Sequence, residues 1–335
     1  MMSRLLKRYI STWATKNNHM STTLLIANAE IRALFRERTM YSISGVFLFM
    51  AMMSAFIGWS TFTTTDAVYR ASVVYLHANG VSSVPENPLR SVSTLASFDN
   101  LIVYIVLIGA LLAIVIGHRS VMRERRSGVL QVLFTRPVRK VSFVFGKLLG
   151  LGFVLFGIVS VTAAITIASS IFLPFQHLNI GDVAHILTFL LLSFLYMFFF
   201  ALCGLFFSIV AKSESLALFI PICIWVGITF VLPELATGLT PTALLNPVTM
   251  LQLPPLDGFF NSVQHILFPI SLGWHYTIMS GELLGSSFSP SISILSVLTN
   301  HLVEIGTLLV SLATLGLLSV VALQRFDPRG DYVNE

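Results

Sequence analysis

Charge is scarce in this chain. Of its 335 residues only 10% are Asp, Glu, Lys or Arg, while 55% are hydrophobic and the mean hydropathy is +0.85. A water-soluble domain needs far more charge to cover its surface, so the composition places the chain in a bilayer. Cysteine is nearly missing. Cys203 and Cys223 both lie in apolar stretches, where a thiol acts as a small packing residue, which argues against a disulfide framework or a thiolate metal site. Acidic residues are missing altogether before Glu30. That basic, hydroxyl-rich start resembles organelle transit peptides in composition, but the plainer reading is a cytosolic basic tail, or a start at Met20. The net charge of +5 does not point to nucleic acid, because the basic residues sit between apolar runs and are not gathered on a face with stacking aromatics.

What the chain does have is long apolar runs. A helix crossing the hydrocarbon needs about 20 apolar residues, each adding about 1.5 Å to a core of about 30 Å. Six segments qualify: Tyr41–Phe62, Leu101–Gly117, Leu148–Leu173, Ile186–Val210, Leu216–Leu232 and His301–Leu323. They lack the period-two alternation of a membrane barrel, so the fold expected is an all-α polytopic membrane protein with six transmembrane helices. Ahead of the first span, Leu24, Ala27, Ile31, Leu34 and Phe35 share one helical face, while Glu30, Arg32, Arg36 and Glu37 fall largely on the other. An amphipathic helix lying along the inner leaflet is expected there, its polar face carried by Glu30, Arg32, Arg36 and Arg38.

Lysine and arginine orient the spans, since cytoplasmic flanks and short loops retain positive charge. Of the 20 basic residues only Arg70 and Arg90 fall on the side opposite the rest, so both termini are expected in the cytoplasm. The resulting organisation is a cytoplasmic tail and interfacial helix (1–40), a six-span domain (41–323) and a cytoplasmic tail (324–335). Within the six-span domain, extracytoplasmic loops cover 63–100 and 233–300, and a basic connection covers 118–147. Seven prolines break 233–300 into short pieces, and its stretch from Phe259 to Met279, with Gln264, His265, Pro269 and His275, suits a re-entrant or interfacial hairpin.

Catalytic chemistry is also hard to find. Gly146-Lys147 is the sole Gly-Lys pair, but Val141 stands where a phosphate-binding loop needs its first glycine, and Leu148 where it needs a hydroxyl. No ionisable group occupies the interior of the first five spans, although a secondary transporter keeps one there for its coupling ion. Glu304, with His301 one turn before it, reads as an interfacial pair. His77, His177, His185, His265, His275 and His301 fall on the outer side with Asp182, Asp257, Glu234 and Glu282, yet their spacings match no metal signature, and no metal site is assigned.

The connection HRSVMRERRSGVLQVLFTRPVRKVSFVFGK is the informative segment. After a basic start come Glu124, Gly128 and an apolar stretch from Val129 to Phe134 that stops at Arg136-Pro137. This reads as a short amphipathic helix ended before proline, offering apolar knobs and charges to something outside the membrane. A plain positive loop would explain the arginines but not the order of glycine, apolar residues, proline and Gly-Lys. The order resembles the pattern E-x-x-x-G-T-L-x-x-L-L-x-x-P-(V/I)-x-(R/K) followed by G-K of ABC-2 type permeases. Glu124, Gly128, Leu130, Leu133, Pro137, Val138, Lys140, Gly146 and Lys147 take its positions, with Val129 for the threonine and Phe134 for one leucine. Ala29-Glu30-Ile31-Arg32 and Leu245-Asn246-Pro247-Val248 are similar to segments of the branch containing the permease of nitrous-oxide-reductase maturation.

The resemblance implies the membrane subunit of an ATP-driven transporter, an exporter or flippase working by alternating access, in a bacterial or archaeal cytoplasmic membrane. The connection would be its coupling helix, with Glu124, Arg125, Gly128, Leu130, Leu133, Arg136, Pro137, Lys140, Gly146 and Lys147 as the residues meeting a separate ABC ATPase. The chain itself would be no enzyme and bind no cofactor, ATP and Mg2+ belonging to that partner. Six spans without an internal repeat call for a second permease copy or a paralogue, and the outer loops leave room for a periplasmic accessory protein. The competing reading is a membrane scaffold or assembly protein without transport.

The topology is checkable directly. With Cys203 and Cys223 replaced, a cysteine introduced at Ser83 is expected to react with an impermeant maleimide from outside intact cells, and one at Ser127 only after the cells are opened. The reverse pattern would invert the orientation.

Overall fold

The computed structural model describes residues 22–81, 86–87, 89, 93–129, 139–171, 179–232, 271–285 and 293–325. It is helical throughout these residues, with no strand among them. Helix α1 (22–34) ends in a tight turn where the Phe35 and Arg36 amides bond to the Ile31 and Ala33 carbonyls. The Tyr41 hydroxyl donates to the Phe35 carbonyl at 2.6 Å and pins the elbow into the next helix. The remaining elements are α2 (Arg38–Ala78), α3 (Thr94–Arg126), α4 (Lys140–Ser170), α5 (Ile180–Val210), α6 (Glu214–Val231), α7 (Leu272–Leu284), α8 (Ile294–Asn300) and α9 (Leu302–Arg325). Among the described residues, α2 to α6 and α9 are the six helices long and apolar enough to cross a membrane.

The first span outruns the sequence reading. The chain was expected to enter a loop at residue 63, but α2 continues to Ala78 over 41 residues, about 60 Å and twice the hydrocarbon thickness. Neither glycine nor proline interrupts it between Gly58 and Gly80. Thr61 and Thr63 return their hydroxyls to the Ile57 and Trp59 carbonyls, and Asp66 pairs with Arg70 one turn on at 2.8 Å. The helix stops where Gly80 adopts φ +74°, with Gly80 and Val81 amides closing a Schellman cap on the His77 and Leu76 carbonyls. The expected loop 233–300 likewise holds α7 and α8, while 233–270 and 286–292 lie outside the described residues. The hairpin expected from Phe259 to Met279 therefore falls mostly outside them, and its last residues belong to α7.

Helix starts follow their caps. Asn179 and Asp182 form a reciprocal capping box at α5, and the Ser213 hydroxyl accepts from the Leu216 amide at α6. Helix α5 is the hub, packing against α3, α4, α6, α7 and α9. Its approach to α3 is backbone on backbone. A Cβ on Gly117 would lie 2.0 Å from the Ala201 carbonyl oxygen, and one on Gly204 would lie 2.3 Å from that of Ile114. Small residues at such crossings replace the hydrophobic driving force that lipid cannot supply between helices. At the opposite end of α3, Gly58 on α2 leaves the same kind of gap for the Ser97 carbonyl oxygen, 2.2 Å from where its Cβ would be.

These contacts predict unequal costs. Gly204→Val is expected to destabilise the protein by about 1–3 kcal/mol through overpacking, seen as a lowered melting midpoint in detergent. Gly157→Ala, whose Cβ meets nothing within 4 Å, is expected to leave the midpoint unlowered, or raised by the better helix propensity of alanine.

Candidate functional site

The last turns of α3 carry His118, Ser120, Arg123, Glu124, Arg125 and Arg126, and each residue is rotated about 100° from the one before it. This spreads the charges around the helix, towards α1 and α4 on one side and α5 and α6 on the other. On the first side lies Lys147, whose side chain is only 1% exposed. All three donors of its ammonium are used: on Glu30 Oε2 of α1, on Glu124 Oε1 at 2.5 Å and on the Ser120 carbonyl at 2.7 Å. Glu30 is itself 2% exposed, and the same Oε2 accepts from Arg123 Nη2 at 3.1 Å. Arg123 Nη1 stands 3.8 Å from Glu37 in the elbow. Glu30 Oε1, Glu124 Oε2 and Arg123 Nη1 are buried with no hydrogen-bond partner among the described residues.

Glycine makes this possible. A Cβ on Gly146 would lie 2.7 Å from that of Ile26, and one on Gly150 would lie 2.8 Å from that of Glu30. The two glycines, four residues apart, clear a trough in α4 into which α1 sinks until its carboxylate reaches Lys147.

On the other side of α3, Arg125 Nη1 donates to the Ser208 and Ala211 carbonyls at 2.9 and 2.8 Å, satisfying groups that the end of α5 leaves orphaned. Arg126 pairs with Glu214 in the first turn of α6. His118 Nδ1 lies 2.9 Å from the Ser208 hydroxyl, which donates in turn to the Gly204 carbonyl. Beyond the connection, Lys140 Nζ donates to the Gln324 carbonyl of α9 at 3.1 Å. Both roots of the connection between α3 and α4 are therefore tied into the bundle.

Several sequence expectations need correction. Glu30 does not sit on a water-facing side; Ala27, Glu30 and Leu34 form the buried stripe of α1, while Leu24, Leu25 and Phe35 are exposed together with Arg32, Arg36 and Arg38. Gly146 and Lys147 are buried against α1, and Glu124, Arg125 and Lys140 are engaged within the chain. Gly128 ends α3 with φ +66° and open space around it. Leu130, Leu133, Arg136 and Pro137 lie outside the described residues. Arg123, Glu37, His118, Ser208 and Glu214 went unnoticed as partners. A carboxylate spaced three and four residues from Ala27 and Leu34 in an apolar stripe was the available clue. Among the outer histidines that are described, His301 Nε2 bonds Glu282 at 3.0 Å and Nδ1 lies 3.7 Å from Glu304. No cluster of three or more metal-ligating side chains forms among the described residues.

Six apolar spans with a cluster of charged groups at the ends of α3 and α4 define a polytopic helical membrane protein. The chain belongs to the ABC-2 family transporter proteins, whose family model matches residues 24–328. Membership makes it a membrane permease component of an ABC transporter, a kind of subunit that associates with an ABC ATPase. No curated protein matches the chain.

Removing one partner of the buried cluster leaves uncompensated charge. Lys147→Met is expected to cost about 3–5 kcal/mol, and Glu30→Gln added to it to recover part of that loss. Melting midpoints of the two single variants and the double variant in detergent check this; strict additivity would mean that the two residues do not interact.

Proposed function

We propose that the connection between α3 and α4 is the coupling element through which a separate ABC ATPase drives this permease. The observation that carries the reading is the bracing of both its roots: Glu124 at one end of the connection and Glu30 of α1 both accept from Lys147 beyond its other end. Force applied to residues 127–139 would pass into α1, α3 and α4 together, and through Arg125, Arg126 and Lys140 into α5, α6 and α9. Leu130, Leu133, Arg136 and Pro137 would supply the contact with the ATPase, and the braced residues would transmit it. The basic flanks support a cytoplasmic position for this end and for both termini.

Two copies of the permease would line the path, with ATP and Mg2+ held by the paired ATPases, and closure of those subunits would open the path outward for export. The segments Ala29–Arg32 and Leu245–Val248 favour the branch that includes the nitrous-oxide-reductase maturation permease.

The test keeps the buried cluster intact. Tagged wild-type chain purified from its host in mild detergent is expected to retain an ATPase and vanadate-sensitive ATP hydrolysis. A Leu130→Asp, Leu133→Asp variant is expected to lose about tenfold or more of both at an unchanged melting midpoint, since a charge placed in a docked apolar contact costs at least about 1.4 kcal/mol. If wild type carries no ATPase, the coupling reading fails and a scaffold role replaces it.

A further inference from the structure

Helix α3 is not one rigid rod. Between Ile105 and Gly109 it widens into a π turn, in which the Ala110 amide reaches back five residues to the Ile105 carbonyl. The part nearer the connection, Ala110–Arg126, is locked to α5 by Gly117 and Gly204 and by the Arg125 and His118 bonds. The farther part, from Thr94 to Tyr104, is locked to α2 through Gly58 and Ser97. The π turn is the joint between two separately anchored halves.

Helix α6 repeats the arrangement. Its near end is held by Arg126 on Glu214, Pro221 removes one amide from its ladder, and at Gly227–Val231 a second π turn returns the Leu232 amide to the Gly227 carbonyl. The two turns are joined by one side chain. Trp225 Nε1 donates to the Val106 carbonyl inside the first π turn at 3.0 Å, and its ring meets Phe230 of the second edge-on, with centroids 5.4 Å apart. Helix α7 closes over the far side, with Gly273 placed where a Cβ would lie 3.3 Å from Thr229 Cα.

We propose that these paired π turns are the hinge of the transport cycle, and that Trp225 is the positioning residue that holds it in the present setting. A π turn contains one residue more than the α-helix would place there. Absorbing it elsewhere rotates the helix beyond by about 100° and shifts it by about 1.5 Å, a discrete change in which two settings exclude intermediate ones. The near halves move with the connection as one block, and the far halves with α2 turn against it. Trp225 couples α3 and α6, so both spans switch together. The transport role assigned to the movement rests on the coupling reading above, whereas the joint and its pin are properties of this chain alone.

The experiment uses full-length chain in lipid nanodiscs, with Cys203→Ala and Cys223→Ala, diluted with unlabelled chain so that only distances within one chain are read. Spin labels at Val103 and Val210, both exposed, span the joint, and labels at Ser127 and Val210 lie within the near block. Trp225→Phe keeps an aromatic ring but removes the donor. In the chain alone, that change is expected to split the Val103–Val210 distance into two populations while leaving Ser127–Val210 as it was. In the complex with its ATPase, ATP and vanadate are expected to shift the wild-type Val103–Val210 distance towards the second population. A single unchanged Val103–Val210 distance in Trp225→Phe overturns the pinning role, with or without a bound ATPase. A vanadate-trapped complex whose Val103–Val210 distance does not move overturns the hinge and leaves the coupling reading standing.

Discussion

The structure turns on a dehydrated ammonium. Lys147 is taken out of water at the end of a bundle whose buried groups are mostly apolar, and its charge is tolerable only because Glu30 and Glu124 arrive with it. That requirement sets the approach of α1, the glycines of α4 that permit it, and the rotation of the last turns of α3. A buried ion pair is weak evidence for stability, because well-packed apolar residues of the same volume often stabilise as much or more. Its stronger effect is on geometry: α1, α3 and α4 can slide against one another only by stranding a charge.

Much of the fold was legible. Apolar runs of about 20 residues announced six spans, and the described helices occupy those positions, because length and composition alone decide whether a helix can cross lipid. The ends were less legible, since α2 runs on to Ala78 through threonine back-bonding and a distant glycine cap, features carrying no hydropathy signal. The π turns at 105–109 and 227–231 were invisible for a related reason: neither holds an unusual residue, and both depend on what packs alongside, such as Trp225 against Val106.

The charged site was legible in outline and misread in detail. The order Glu124, Gly128, Pro137, Gly146 and Lys147 picked out a segment whose described ends are charged and buried to different degrees, and treating the whole motif as contact surface ignored which residues could be exposed. Gly146-Lys147 serves the chain's own packing. Glu30 was placed with its charged neighbours because a carboxylate was assumed to seek water. Its spacing from Ala27 and Leu34 pointed inward, and a partner ammonium 117 residues later made that affordable. Pairing over such a separation leaves no local trace.

Along α5 the polar ties change in chemistry. Near the connection the ties are charge-assisted: Lys147 on two carboxylates, Arg125 on two carbonyls, Arg126 on Glu214. Farther along α5 the polar ties are neutral, the Ser193 hydroxyl with Tyr276 at 2.7 Å and the Tyr196 hydroxyl with Thr229 at 3.4 Å. Charge-assisted bonds are roughly twice as strong as neutral ones, and they are stronger still where water is excluded. Outside this core, α9 turns Val303, Val310 and Leu317 outward in a heptad stripe, and α2 exposes Phe49, Met52 and Phe56, surfaces that lipid or a neighbouring helix can meet without a polar cost. The charge-assisted ties of α5 thus lie beside the connection, and its neutral tie from Tyr196 reaches Thr229 inside the π turn of α6.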